Sequence, residues 1–282
     1  FLKCVLGHVA TVFPYDYVHI GGDECPTDQW KTNQMCLDRV KELGLDGVHQ
    51  LQSWLVEELG IFLKEEYGKD IIVWDELLAN WNDNNKTKPV IMAWNGMGFS
   101  TQAANRGFKS IIVPYQYLYI DFMQGEEGDL FVDEPYHGGW GVNTVDEIYG
   151  LNPLSALSGK EEFALGVQCN MWTETCNDID EVEYCLLPRM LAVSEIGWLP
   201  TDKKDWTSFY LRLQTHDEIF DHLDYQYAKH FIEPKEYTGQ ESTIMEAEEL
   251  LAKSVRGGVG YPAAEVYDAL KRSEEHTSEL QS

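Results

Sequence analysis

The chain has 282 residues, 44% of them hydrophobic, enough to bury a sizeable core as one large domain or two small ones. Its formal net charge of −27 argues against nucleic acid or an anionic membrane surface as a partner, because both need clustered Lys and Arg. A neutral or cationic ligand is the expectation, and no run approaches the roughly 18 apolar residues of a membrane helix, so no membrane span is expected.

The opening "FLKCVLGHVATVFP" lacks an initiator Met and a charged leader region and reads as the middle of a helix. Further chain ahead of Phe1 is therefore expected. Short β-rich runs then recur: "YVHI" at 17–20, "IIVW" at 71–74, "VIMAW" at 90–94, "SIIVPY" at 110–115 and "ALGVQCNMW" at 164–172. Their near-continuous apolar character suits parallel strands buried on both faces. The clearest helix spans Gly47 to Tyr67, with Val48, Leu51, Leu55, Leu59 and Phe62 as its apolar stripe. "DIDEVEYCLLPRMLAVSEIGW" is helical with acidic residues in its first turn and a kink expected at Pro188. "DWTSFYLRLQTHDEIFDHL" predicts another amphipathic helix, and "ESTIMEAEELLAKS" with "YPAAEVYDALK" a helical hairpin. Gly125 to Asn143, rich in glycine, predicts a long loop and a candidate lid.

Five strand–helix units in a row predict an α/β fold with right-handed crossovers. Polar and aromatic residues collect past the strand ends: Asp23 and Glu24, Trp74 to Glu76, Trp94 and Asn95, Tyr119 and Asp121, Trp172 to Glu174. That distribution favours a (β/α)8 TIM barrel over an open sheet, because a barrel assembles its site from several strand ends. Five units do not close eight strands, so the expected fold is a partial barrel, strands 4–8, with C-terminal helices. The expected organisation is a partial barrel domain over 1–235 and a truncated helical segment over 236–271. The last residues, Arg272 to Ser282, "RSEEHTSELQS", resemble the read-through translation of a sequencing-library adapter and are excluded from fold reasoning.

Asp23 and Glu24 stand side by side after Gly21 and Gly22. A solvated turn is the simple reading of such a pair alone. Adjacent carboxylates suit poorly a retaining glycosidase whose acid and nucleophile face each other about 5 Å apart. They suit better a reaction in which the substrate supplies the nucleophile: Glu24 protonates the leaving oxygen while Asp23 holds the substrate's own 2-acetamido group. The glycines let the chain bend so that both side chains enter one pocket.

On these residues the chain resembles glycoside hydrolase family 20, the β-N-acetylhexosaminidases. "HIGGDE" with Pro14 before it is similar to the family signature; "VWDE", "YID" at 119–121, "WTE" at 172–174 and "DEVEY…PR…SEIGW" resemble its later strand ends and final helix, in order. The resemblance covers about Phe1 to Tyr227. It implies exo-acting, retaining release of terminal β-linked GlcNAc or GalNAc from a glycan, through an oxazolinium intermediate, with no metal and no cofactor. It assigns Glu24 as acid and base with a carboxyl raised toward neutrality, and Asp23 to the acetamido N–H. Tyr119 falls to the acetamido carbonyl, Trp74, Trp94 and Trp172 to the acetyl methyl and sugar face, and Asp121 and Glu174 to the C4 and C6 hydroxyls. The family's sugar-binding arginine and supporting histidine belong to strands not present here. Export from the cell, to a secreted, periplasmic or surface location, is an expectation from the substrate class.

Alternatives stay open at this point. Specificity for a disaccharide or a sulfated hexosamine would use the same site, and a catalytically dead sugar-binding domain would keep its outline. His19 is expected as a buried, hydrogen-bonded strand histidine, with metal ligation as the rival. Asp75 and Glu76 are expected to make supporting hydrogen bonds. Trp30, Trp54, Trp198 and Trp206 are expected in the core. The six cysteines lack a CxxC pair, so ordinary thiols are expected, with a Cys25–Cys36 disulfide as the alternative.

Overall fold

The structure is a computed structural model that describes residues 1–125 and 141–231. Most of the expected lid, and all of 236–282 with its expected hairpin, lie outside the described residues. In chain order the elements are α1 (Leu2–Val12), β1 (Tyr17–His19), α2 (Gln34–Leu43), α3 (Gln50–Tyr67), β2 (Asp70–Trp74), β3 (Val90–Ala93), α4 (Met97–Asn105), β4 (Ser110–Ile112), α5 (Tyr115–Leu118), α6 (Val145–Gly150), β5 (Ala164–Val167), α7 (Ile179–Leu186), α8 (Arg189–Trp198) and α9 (Trp206–His222). All five expected strands form. Contacts divide the chain into two compact units, Phe1–Gln116 with Pro153–Gln168, and Tyr117–Asn152 with the chain from Cys169.

The first unit holds one parallel sheet in the order β1-β2-β3-β4-β5. Its registers set Tyr17 beside Asp70, Ile72 beside Val90, Ile91 beside Ser110, and Ser110 beside Ala164. The central strand β3 is buried at all four positions, as a parallel strand covered on both faces must be. The outer strands are not. Among the described residues β1 pairs only with β2 and β5 only with β4, and both leave side chains exposed. Helices α3 and α4 make crossovers, whereas the β2–β3 link carries a 3-10 segment, Asp75–Asn80, in place of the expected α-helix. Val18, Ile71, Val73 and Ile91 pack with Val56, Leu63, Leu77 and Trp81 as the core.

Helix α3 buries a different face from the one its apolar stripe predicts. Leu59 is buried, but Leu55 is 40% exposed, and the buried face runs through Ser53, Val56, Glu57, Gly60 and Leu63. Close approach decides the rotation: a Cβ on Gly60 would lie 2.9 Å from Ile71 Cδ1. The buried Glu57 carboxylate accepts from the Lys86 N–H at 2.7 Å and the Thr87 N–H at 3.3 Å, so it is not left unpaired. A stripe of apolar residues cannot register a glycine and a glutamate as the packing face.

In the second unit Pro188 does more than kink. It separates α7 from α8 outright, because proline has no N–H to donate and its ring collides with the preceding turn. The freed Leu187 carbonyl accepts instead from Ala228 N, at 3.1 Å, and Gln124 Nε2, at 3.2 Å. Directly after the break, the fully buried Arg189 gathers three separate segments. Nε donates to Cys185 O at 2.9 Å, Nη1 to Phe122 O at 2.9 Å and Asn143 O at 3.0 Å, and Nη2 to Ile120 O at 2.6 Å. Tyr149 stacks on Phe209 at 4.4 Å and donates its hydroxyl to Glu195 at 2.9 Å.

Trp198 is 91% exposed, against expectation, and Trp30, Trp54 and Trp206 are only half-buried. On α8 the buried positions are Arg189, Ala192 and Ile196, and a residue two beyond Ile196 points to the opposite side. No disulfide joins Cys25 and Cys36.

Because Arg189 serves several buried carbonyls at once, Arg189→Met is expected to destabilise this unit by about 3–5 kcal/mol, the cost of stranding buried polar groups. Urea unfolding followed by circular dichroism measures it, and a loss under about 1 kcal/mol would show that the carbonyls find other donors.

Candidate active site

In the first unit the site is built where β1, β2 and β3 end. Past His19 the Ile20 N–H still bonds to Ile72 O at 3.0 Å, and then the chain turns at Gly21 (φ 79°) and Gly22 (φ 109°). Gly22 is required twice over: its φ is positive, and a Cβ there would stand 2.5 Å from Leu77 Cδ1. The turn is tied down by Trp74 N–H donating to Gly21 O at 3.1 Å and Gln52 Nε2 to Gly22 O at 3.1 Å. Asp23 and Glu24 follow, both exposed, and Glu24 itself adopts φ 44°, a left-handed conformation uncommon outside glycine.

The carboxylates at the end of β2 hold this arrangement in place. Glu76 Oε2 accepts the Glu24 backbone N–H at 2.8 Å. Asp75, fully buried, accepts from both Asn95 N at 2.9 Å and Asn95 Nδ2 at 2.7 Å, which locks the end of β2 to the end of β3. Burial pushes the Asp75 carboxyl above its ordinary value, with the Asn95 bonds opposing. Burial likewise raises Glu76; the Glu24 N–H and the Trp94 indole offset part of the rise, while the charges of Asp75 and Asp23 add to it. These are the supporting bonds expected of the pair.

His19 is hydrogen-bonded as expected but exposed, not buried. Its Nδ1 accepts from Gly21 N at 3.0 Å, so the neutral ring carries its proton on Nε2, and its ring meets Trp74 edge-on at 4.8 Å. Desolvation lowers its pKa, with Asp23 opposing. Among the described residues no three His, Cys, Asp or Glu side chains converge as a metal-ligand set.

A cleft of about 580 Å³ opens beside the pair, lined by Glu24, Asp75, Glu76, Trp94, Asn95 and Phe99 among others. Trp74, the last residue of β2, is buried against His19 and is not among the residues lining this cleft, and neither is Asp23. A groove of similar size in the second unit, about 600 Å³, is lined by Trp198, Glu195 and Arg212. Its glutamate is already committed to Tyr149 and Arg212, so the first cleft is the better chemical candidate.

The second unit holds the other four predicted residues. Tyr119 pairs with Asn170 in an isolated parallel bridge, with Ile120 N donating to Asn170 O and Asn170 N to Leu118 O, both at 2.8 Å. Trp172 is not a strand-end residue, since β5 stops at Val167; it stands past this bridge, 39% exposed, edge-on to Tyr119 at 5.9 Å. Asp121 is 3% exposed, and its Oδ1 meets no donor among the described residues. Burial and then the charge of Glu174 push its carboxyl up to about 6, with Arg189 pulling the other way. Glu174 is exposed.

Sequence reasoning did not find the Glu24 backbone conformation, the bond to it from Glu76, or the role of Arg189. The first two join residues 52 positions apart and leave no local pattern. Arg189 does carry a signal, a lone arginine after a helix-breaking proline, but not one that says which carbonyls it reaches.

Comparison with known proteins shows which family the chain resembles. The family description "Glycosyl hydrolase family 20, catalytic domain" matches residues 1–201. A beta-hexosaminidase of Porphyromonas gingivalis is 36% identical over 76% of this chain and 27% of its own length. A beta-hexosaminidase of Vibrio furnissii is 32% identical over 70% of this chain and 32% of its own. Among solved structures, the GH20 exo beta-N-acetylglucosaminidase of Vibrio harveyi, in complex with N-acetylglucosamine, superposes with a TM-score of 0.73 at 27% identity, over 82% of this chain and 35% of that one. The chain thus spans about a third or less of the length of these relatives. The parallel five-stranded sheet is accordingly part of a TIM barrel, and the chain belongs to glycosyl hydrolase family 20.

Proposed function

We propose that the protein carrying this chain is an exo-acting β-N-acetylhexosaminidase that hydrolyses terminal β-linked N-acetylhexosamine by substrate assistance, with retention. The observation that carries the reading is the exit of β1: two positive-φ glycines lead directly into Asp23 and Glu24, and Glu24 lines a cleft together with Trp94. The activities named for its relatives support it.

In this reaction the acetamido carbonyl oxygen attacks C1 while the C1–O bond to the leaving group breaks. Glu24, entering protonated, gives its proton to the departing oxygen. The resulting oxazolinium carries positive charge, and the Asp23 carboxylate, hydrogen-bonded to its N–H, offsets that charge as it develops. Water then adds to C1, Glu24 takes back a proton, and the ring opens to the product with its original configuration. Tyr119 donates its hydroxyl to the acetamido oxygen. Trp74, Trp94 and Trp172 take the acetyl methyl and the sugar face, and Asp121 and Glu174 the ring hydroxyls. Buried carboxylates with an oxygen still open, as Asp121 has, suit that last role, since a sugar hydroxyl supplies the donor the chain does not.

The test compares a chromogenic N-acetyl-β-glucosaminide with the β-glucoside of the same aglycone, using protein expressed from the complete reading frame. A preference of at least about 100-fold for the N-acetyl sugar is expected, together with a similar loss of kcat on it in Asp23→Asn. Equal rates on the two glycosides, or a near-normal kcat in the variant, would mean that the acetamido group is not the nucleophile.

Asp121 makes a second prediction. Its folded pKa of about 6 lies above the ordinary 3.8, so the folded state binds the extra proton between those values and loses stability as pH rises through them. Asp121→Asn is therefore expected to raise Tm above about pH 7, with the gain fading as pH falls toward 4, while KM for the N-acetyl glycoside rises. Thermal melts across that range check the first part, and an unchanged or lower Tm at neutral pH would contradict it.

A further inference from the structure

Glu24 is held in a conformation its residue type disfavours. At φ 44° its Cβ crowds the neighbouring carbonyl, and a glutamate left to itself returns to the right-handed or extended regions. Non-glycine residues stay there when the surroundings over-determine them. At Glu24 itself the constraint is a charge-assisted bond, its N–H donating 2.8 Å to Glu76 Oε2, the strong kind of backbone hydrogen bond, added to the bonds that fix Gly21 and Gly22 just before it. Glu76 is fixed in turn by its 3-10 segment, whose neighbouring Asp75 is clamped twice by Asn95.

The carboxylate at 76 sits in an unfavourable place. It lies near the charges of Asp75 and Asp23, and one of its oxygens is buried. A third acid in such surroundings costs the fold stability unless its charge is used.

We propose that Glu76 is a positioning residue for the general acid: by holding the left-handed turn at Glu24 it sets the direction in which the Glu24 side chain enters the cleft. This rests on the reading of Glu24 as acid and base. Without the bond the Glu24 backbone relaxes, the carboxyl swings away from the leaving oxygen, and proton delivery fails while sugar binding remains.

Leaving groups distinguish this role from a merely structural one. An aryl glycoside departs with little help from a proton, whereas the alkoxide of a β-linked N-acetylglucosamine disaccharide needs one. Since kcat/KM reports steps up to bond cleavage, Glu76→Ala is expected to lower it about 100-fold on the disaccharide and under about 5-fold on the 4-nitrophenyl glycoside. Glu76→Gln, which keeps an oxygen acceptor at the same reach, is expected to recover most of the disaccharide activity. Glu76→Asp, which keeps the charge but withdraws it by one methylene, is expected to lose activity as Glu76→Ala does, and it stands in for that variant if it does not fold.

Equal losses on both substrates, or a Glu76→Gln variant as poor as Glu76→Asp, would overturn the proposal while leaving the hydrolase reading intact. A wild-type protein that turns over neither N-acetyl substrate would overturn both.

Discussion

The site depends on the close passage of the chain at Gly22 over Leu77. A methyl group of Leu77 lies only 2.5 Å from where a side chain at 22 would begin, so the β1 exit and the segment after β2 interlock through the absence of a Cβ. Everything else at this end of the sheet follows from that contact. Because Leu77 belongs to the same 3-10 segment as Asp75 and Glu76, fixing it against Gly22 also sets Glu76 beside the Glu24 N–H. Because Asp75 in that segment bonds twice to Asn95, the end of β3 is brought into line as well, and Trp94 with it. One glycine thereby coordinates the ends of three strands.

The molecule spends stability where chemistry is proposed. Asp75, Glu76 and Asp121 all have carboxyls raised chiefly by burial, which means that their charged forms are less comfortable in the fold than in water. Burial raises the Glu147 carboxyl in the cap of α6 as well, so a raised carboxyl alone does not mark the site. Glu57, equally removed from solvent, is matched by two backbone N–H groups, and Arg189 has a carbonyl for each of its nitrogens. Asp75 is matched at both oxygens by Asn95 in the same way, whereas Asp121 keeps one oxygen with no donor among the described residues, as expected where a polar group waits for a substrate.

The strands were legible because each is a short apolar run and a parallel sheet buries such runs whole; β3 is the plain case. The glycine pair and its carboxylates were legible because glycine is the residue a positive-φ turn demands. What could not be read was anything decided by contact across the fold. The buried face of α3 is set by Gly60 against Ile71 and by Glu57 under Thr87, neither of which a hydrophobic stripe can show. Trp198 looked like core because tryptophan usually is, yet helical phase turns it outward. The chain's strain at Glu24 leaves no trace in its residue type, since glutamate is among the last residues one would place there.

That strain bears on why two carboxylates stand next to each other at all. In a regular strand Asp23 and Glu24 would point to opposite faces, and only one could reach a substrate. Positive φ at Gly21, Gly22 and Glu24 removes the alternation, so adjacent residues are free to face the same space. Adjacency is then no handicap in the proposed reaction, because the two groups act on different atoms of the sugar. One carboxyl must give up a proton at the leaving oxygen, and the other must keep its charge beside the acetamido nitrogen. A mechanism with a protein nucleophile would require the two on opposite sides of the anomeric carbon, which neighbours in sequence cannot supply. In the proposed reaction the left-handed turn would be the backbone counterpart of letting the substrate bring its own nucleophile.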